Sequence, residues 1–171
     1  MREAAGRLAE AVPMLETTLR DRERLLGADH PDTLTSRNSL ASAYQAAGRL
    51  PEAVPLLETT LRDLERLLGA DHPRVAVLLY RLGTAETALG DPRSAVTRLR
   101  GAARIDQAAY GPVHPEVATD LEALAAAQQL DGDVPAARRS IRHALNIRNA
   151  SDPVDTEEVR TVQRRLEELT G

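Results

Sequence analysis

G-R-L-A-E-A-V-P-M-L-E-T-T-L-R-D-R-E-R-L-L-G-A-D-H-P, from Gly6 to Pro31, returns almost letter for letter between Gly48 and Pro73. Gly6, Gly48, Gly90 and Gly132 stand 42 residues apart, and so do the pairs His30-Pro31, His72-Pro73 and His114-Pro115. Self-similarity at this period marks stacked supersecondary units, each of which buries its apolar face only against the next. The chain therefore reads as an array, counted in repeats rather than in independent folds.

Composition narrows the function classes. All 22 basic residues are Arg, set against 26 acids, for a net charge of -4. Such a balance lacks the basic excess of a nucleic-acid binder. Zero Cys excludes disulfides, thiolate metal sites and a Cys nucleophile together. No apolar run approaches the roughly 18 residues of a membrane span, and no signal pattern opens the chain. The reading is a soluble, cytoplasmic protein with no membrane and no nucleic-acid partner. Met1 leads directly into the second half of a repeat, as in a fragment of a longer array or an array lacking its first helix.

Two helical patterns alternate within each period. After His30-Pro31, the positions Leu34, Leu40, Ala41, Ala43, Tyr44 and Ala47 recur at helical spacing. Pro31 suits the first helical position, where its missing N–H costs nothing, and Gly48 suits the turn that follows the helix. A second pattern then places Ala53, Val54, Leu57, Leu61, Leu64, Leu67 and Leu68 on one stripe. Pro55, and likewise Pro13, is assigned to about the first turn of its helix, where a proline costs least. The spacing predicts second-type helices over 7–26, 50–68, 92–109 and 134–149, and first-type helices over 31–47, 73–89 and 115–130. The fold class is all-α, an α-α superhelix of antiparallel hairpins. One solenoid covers 1–171, with repeat units at about 6–47, 48–89, 90–131 and 132–150.

The period alone also suits HEAT or armadillo arrays, so the motif decides. The tetratricopeptide pattern W-x2-L-G-x2-Y, A-x3-F, P is occupied by Leu40-Ala41, Tyr44, Ala53, Leu57 and Pro73. The next unit offers Leu79, Leu82-Gly83, Ala95, Leu99 and Pro115, and the third Leu121, Leu124-Ala125, Ala137 and Ile141. L-L-G-A-D-H-P-D-T-L, R-N-S-L-A-S-A-Y and G-R-L-P-E-A resemble the repeats of the kinesin light chain type, a likeness running from about 6 to 150. Bacterial proteins of signalling type carry such repeats behind a nucleotide-binding module; a phosphate loop of the G-x-x-x-x-G-K kind needs a Lys that this chain lacks.

The array decays toward its end. Leu25-Leu26 and Leu67-Leu68 become Ala109-Tyr110, and the connection after 149 shortens to N-A-S-D-P, with Ser151 or Asp152 as cap and Pro153 opening a helix. The segment at about 153–170 keeps a thin apolar line of Val159, Val162, Leu166 and Leu169. It reads either as a capping helix or as a further first-type helix. At the other end, helix 7–26 lacks the partner that would precede it, and an exposed apolar stripe there predicts self-association into a homo-oligomer.

The periodic histidines do not read as metal ligands. In-phase repeats carry them apart, whereas ligands converge within about 2 Å of an ion. Each instead precedes Pro and reads as a helix cap, and His143 reads as solvated surface. No H-E-x-x-H or G-x-S-x-G is present, and the carboxylates are spread over helix faces. The chain reads as a non-enzyme, with no catalytic residue, no cofactor and no metal.

The resemblance implies that first-type helices line a concave peptide-binding wall. Counted from Leu40, Ala41 and Tyr44, that wall should carry Thr35, Asn38, Ser42 and Gln45, then Val77, Tyr80, Thr84 and Thr87, then Thr119, Glu122, Ala126 and Gln129. Arg37 and Arg81 should border it, available to an acidic side chain of the partner. Asn38 occupies the slot where such repeats place an asparagine able to bond a peptide backbone. Tyr80 and Glu122 take that slot in the next units, so no asparagine ladder continues. The expected function is a protein-interaction scaffold for a peptide or protein segment. The alternative is a structural or regulatory arm that packs on another domain or on a second copy through helix 7–26.

Overall fold

The computed structural model describes residues 2–150 and 156–169, the side chains of 2–7, 9 and 156 excepted. Among these residues the chain is all-α, with no strand. The helices are α1 (Arg2–Leu26), α2 (Pro31–Ala46), α3 (Leu50–Leu68), α4 (Pro73–Leu89), α5 (Pro92–Tyr110), α6 (Pro115–Leu130), α7 (Val134–Ala150) and α8 (Thr156–Glu168). They divide between two compact units, Met1–Gly69 and Ala70–Gly171.

The His-Pro pairs start the first-type helices by one device. His30, His72 and His114 stand at N-cap positions in extended backbone. Each Nδ1 accepts the backbone N–H two residues on, of Asp32 at 3.2 Å, Arg74 at 3.1 Å and Glu116 at 3.2 Å. The imidazole thus does the work usually given to Ser or Asp at this place, and the following Pro needs no donor partner. The expected capping role is the observed one. The helices end as sharply. Gly90 closes α4 at φ 80, ψ 25, and Gly69 follows α3 at φ 88, ψ 154, a region open essentially to glycine alone.

Within the first unit α2 packs on both α1 and α3, burying Val12, Leu19, Leu40, Ala43, Tyr44 and Ala53. In the second unit each of α4 to α7 packs on its successor, and α4 also meets α6. Its apolar seams gather Ala95, Leu99, Leu124 and Ala127 in one cluster and Val117, Ala125, Ile141, Ile147 and Val162 in another. Small side chains set the approach of the helices: Ala41, Gly83 and Ala125 recur in phase and are all buried. A Cβ on Gly83 would lie 2.5 Å from Leu99 Cγ, so α4 and α5 meet more closely than any larger residue permits.

The L-G-A-D-H-P connection adds a tie outside the core. Asp29 holds Arg66 at 2.5 Å, and Asp71 holds Arg104 at 2.7 Å. Val113 replaces the aspartate in the third connection, where Tyr110 instead stacks on His114 at 4.8 Å between ring centroids.

Two expectations are corrected. The first helix begins at Arg2 rather than near 7, so Gly6 lies inside a helix and not at a turn. Pro13 consequently sits mid-helix; it is exposed, so its ring distorts no packed face. Pro55 stands one turn inside α3. At the other end, Val162 of α8 and Leu169 just after it enter the core shared with α7, while Arg138 Nε donates to the Leu169 carbonyl. Ser151, Asp152 and Pro153, expected to start this helix, lie outside the described residues.

Candidate functional site

The outward faces of the first-type helices differ from one unit to the other. On α2, Thr35, Asn38 and Ser42 are exposed and Gln45 is partly buried. Thr35 Oγ1 donates to the Pro31 carbonyl at 2.9 Å, and Ser42 Oγ to that of Asn38 at 3.0 Å. The hydroxyls are thereby turned back onto the helix. What α2 offers is a short, neutral strip whose side-chain amides are Asn38 and Gln45.

In the second unit α4 and α6 offer a different surface. Val77 is 57% exposed, and Tyr80 beside it is partly buried, packed against the cluster of Ala95, Leu99, Leu124 and Ala127. Burial pushes the Tyr80 phenol up, and the nearby carboxyls of Asp120, Glu122 and Glu116 add to the shift. Thr84 and Thr87 are partly buried and donate to the carbonyls of Arg81 and Gly83 at 3.0 and 2.7 Å. On α6, Arg148 reaches from α7 to Glu122 Oε1 and to Thr119 Oγ1, each at 3.0 Å, and also pairs with Glu158 at 3.0 Å. Glu122 and Thr119 are therefore fixed in place by one guanidinium. Ala126 is partly buried and Gln129 exposed.

Arg37 does not border this surface. It is 2% exposed, and its guanidinium lies between Asp63 at 2.6 Å and Glu23 at 3.1 Å. It precedes Leu40 by three residues and Ala41 by four, which places it on the buried seam of α2. Arg81 is partly buried, and desolvation alone pulls its guanidinium below the ordinary value.

Sequence reading missed one group of residues. Asp106 on α5 and Asp120 on α6 are 7% and 3% exposed, and they share a hydrogen bond. Burial drives the Asp120 carboxyl up to about 8, with Asp106 beside it the next cause. Burial also raises Asp106, and Glu116 adds to it. Two carboxyls in one dry interface hold a proton between them because both cannot ionise there. Asp120 Oδ2 finds no hydrogen-bond partner. One period earlier the pair is Leu64 and Leu78, and two periods earlier Arg22 and Ser36, so repeat phase alone does not mark these carboxyls as buried.

Between α1 and the end of α2 lies a depression of about 590 Å³ lined by Leu8, Val12, Pro13, Glu16, Ala46, Ala47 and Arg49. Tyr44 donates its hydroxyl to Glu16 at 2.6 Å, and Arg49 lies 4.4 Å above the Tyr44 ring. Among the described residues no group of three His, Asp or Glu is placed to hold a metal ion, and no helix is long and apolar enough to cross a membrane.

Comparison with known proteins agrees with this architecture. The family model of the tetratricopeptide repeat matches residues 1–65 and 35–108. Two crystal structures of a kinesin-light-chain-type protein of Podosopora anserina, built of nearly identical TPR-like repeats, are similar over 96% of this chain. One has 29% identity, a TM-score of 0.83 and 78% of its own chain covered. The other, a point variant of the same protein, has 27% identity, a TM-score of 0.85 and 77% covered. BtubC (BKLC) from P. vanneervenii shares the fold at 24% identity and a TM-score of 0.77, over 85% of this chain and 58% of its own. No curated protein matches the chain.

Proposed function

We propose, on the premise that this chain belongs to the tetratricopeptide repeat family, that its first-type helices bind a peptide or protein segment along their outward faces. Repeats of this kind are protein-interaction scaffolds, and those of this chain are kinesin light chain-like. The observation that carries the finer reading is Val77, 57% exposed on α4 next to the half-buried ring of Tyr80. An exposed branched apolar side chain beside an aromatic with a polar tip is a suitable anchor for a partner residue. The Glu122–Arg148–Thr119 set gives fixed polar contacts beside it. On α2, Asn38 and Gln45 offer amides that suit a peptide backbone.

Binding to a diverse peptide display library tests this. Val77→Glu should abolish selected binders at unchanged thermal stability, because the position is exposed. Asn38→Ala should weaken binders that engage the first unit. Binders indifferent to both changes would move the site off the first-type helices.

A second reading, self-association through α1, is favoured by the depression along Leu8, Val12 and Pro13. Light scattering across a concentration series should then show a mass that rises with concentration and falls back for Pro13→Asp, a change at an exposed position. A constant monomer mass would refute it.

A further inference from the structure

The second-type helices of the second unit carry a charge arrangement that the first unit does not. Their outward faces are read from exposure. On α5 it runs through Arg93, Arg100 and Arg104, and on α7 through Arg139, Arg142 and His143, all exposed or partly so. No acid interrupts either face: the one acid of α5 is the buried Asp106, and α7 has none. At the same phase of the repeat, Glu16 and Glu58 of the first unit become Arg100 and Arg142. The sign of the outward charge at this phase therefore reverses between α1 and α3 on one side and α5 and α7 on the other. Arg104 is engaged by Asp71, and Arg93 stands 3.8 Å from Asp131. The arginines that face inward have other partners: Arg98 pairs with Glu86, and Arg148 with Glu122 and Glu158.

We propose that the outward faces of α5 and α7 form a docking surface for an acidic polypeptide segment, with Arg100 and Arg142 as its principal charges and Arg139 and His143 beside them. The two helices occupy the same phase of consecutive repeats, so these faces point the same way within the unit. Guanidinium groups suit carboxylates because their planar forks match two oxygens at once. The occupant is a short protein segment rather than a nucleic acid or an anionic membrane, for two reasons. From Arg139 to Asn146 the α7 stripe spans only about 10 Å of helix. A long polyanion would extend past so short a stripe onto the surface of a chain whose acids outnumber its bases, 26 against 22. In addition, no aromatic side chain lies on either stripe for bases to stack on.

The test is fluorescence anisotropy of the full chain with a labelled glutamate-rich helical peptide, and with its glutamine counterpart as control. The glutamate peptide should bind and the glutamine peptide should not, with affinity falling as salt rises. The R100E/R142E double variant installs the residues found at this phase in the first unit, so its melting temperature should hold. Its affinity for the glutamate peptide should fall by about tenfold or more. If that variant unfolds, Arg139→Thr supplies the same readout, since Thr97 stands one period earlier. Val77→Glu should leave this binding unchanged, which separates it from the peptide site on α4. Equal binding by the starting chain and the double variant would overturn the proposal. So would equally tight, equally arginine-dependent binding of duplex DNA or of phosphatidylserine vesicles.

Discussion

Asp120→Asn is expected to stabilise the second unit by about 2–4 kcal/mol at pH 8, and to change stability little near pH 4. In the folded chain the Asp120 carboxyl is pushed from its ordinary 3.8 up to about 8 by burial and by Asp106. Between those two values the native state keeps a proton that the unfolded chain has released. Stability is therefore fully present below about pH 4 and falls as pH rises, levelling off once Asp120 ionises near 8. Asp106 is raised as well, so it acts in the same direction. Three further groups bear on the pair: Glu116 on α6 raises both, His114 before α6 lowers Asp106, and the Tyr80 phenol on α4 feels Asp120. An asparagine at 120 keeps a donor for the Asp106 carboxylate and removes the charge that has to be suppressed. Urea unfolding at several pH values should show a falling slope in the starting chain and a nearly flat one in the variant. An unchanged slope in Asp120→Asn would assign the pH dependence to other groups.

The ease with which the fold can be read, and the difficulty of the site, have one physical source. Helix ends are written in a few residues: a Pro that opens the first turn after a His that caps it, and a Gly that takes the backbone of the stop. Helices α1 to α7 accordingly begin and end within a residue of where those signals put them, apart from the start of α1. There Gly6 keeps the phase of a turn glycine but lies within continuous helix. The faces of the helices are harder to read, because a charged residue on a seam looks like a solvated one until its neighbours are known. The charge of Arg37 suggests a binding rim, although its spacing to Leu40 and Ala41 already places it inward. Asp106 and Asp120 pass as ordinary surface acids for the same reason. For Arg37 the repeat itself holds the correction, because Leu79 and Leu121 stand at the same phase. The phase of Asp106 holds Arg22, Leu64 and Arg148, and that of Asp120 holds Ser36 and Leu78, so repeat phase does not mark either carboxyl as buried. On α4 and α6, repeat phase is enough to align Val77, Tyr80 and Glu122 with the outward positions of α2. The Arg148 contact that fixes Glu122 comes from the next helix, which no single-helix pattern reveals.

Asp63→Ile is expected to destabilise the first unit by about 3 kcal/mol, and adding Arg37→Leu to it should restore most or all of that loss. Arg37 and Asp63 occupy the phases of Leu121 and Ile147, which lie in one apolar cluster of the second unit, and of Leu79 and Ile105. The first unit has thus replaced an aliphatic contact by a buried ion pair. Removing Asp63 alone strands a guanidinium that is 3% exposed, with Glu23 as its remaining ion-pair partner. Glu23 is 43% exposed and spends much of its interaction on water. Removing Arg37 alone is milder, about 1–2 kcal/mol, because Asp63 is 18% exposed and retains some hydration. The double variant installs a pair that the same repeat already packs elsewhere, so its stability should come within about 1 kcal/mol of the starting chain or exceed it. A full double-mutant cycle by chemical denaturation measures this, with a coupling energy of about 3–5 kcal/mol expected. A double variant as unstable as Asp63→Ile would mean that the first unit cannot close over an aliphatic pair. The ion pair would then be what sets the packing of α2 between α1 and α3.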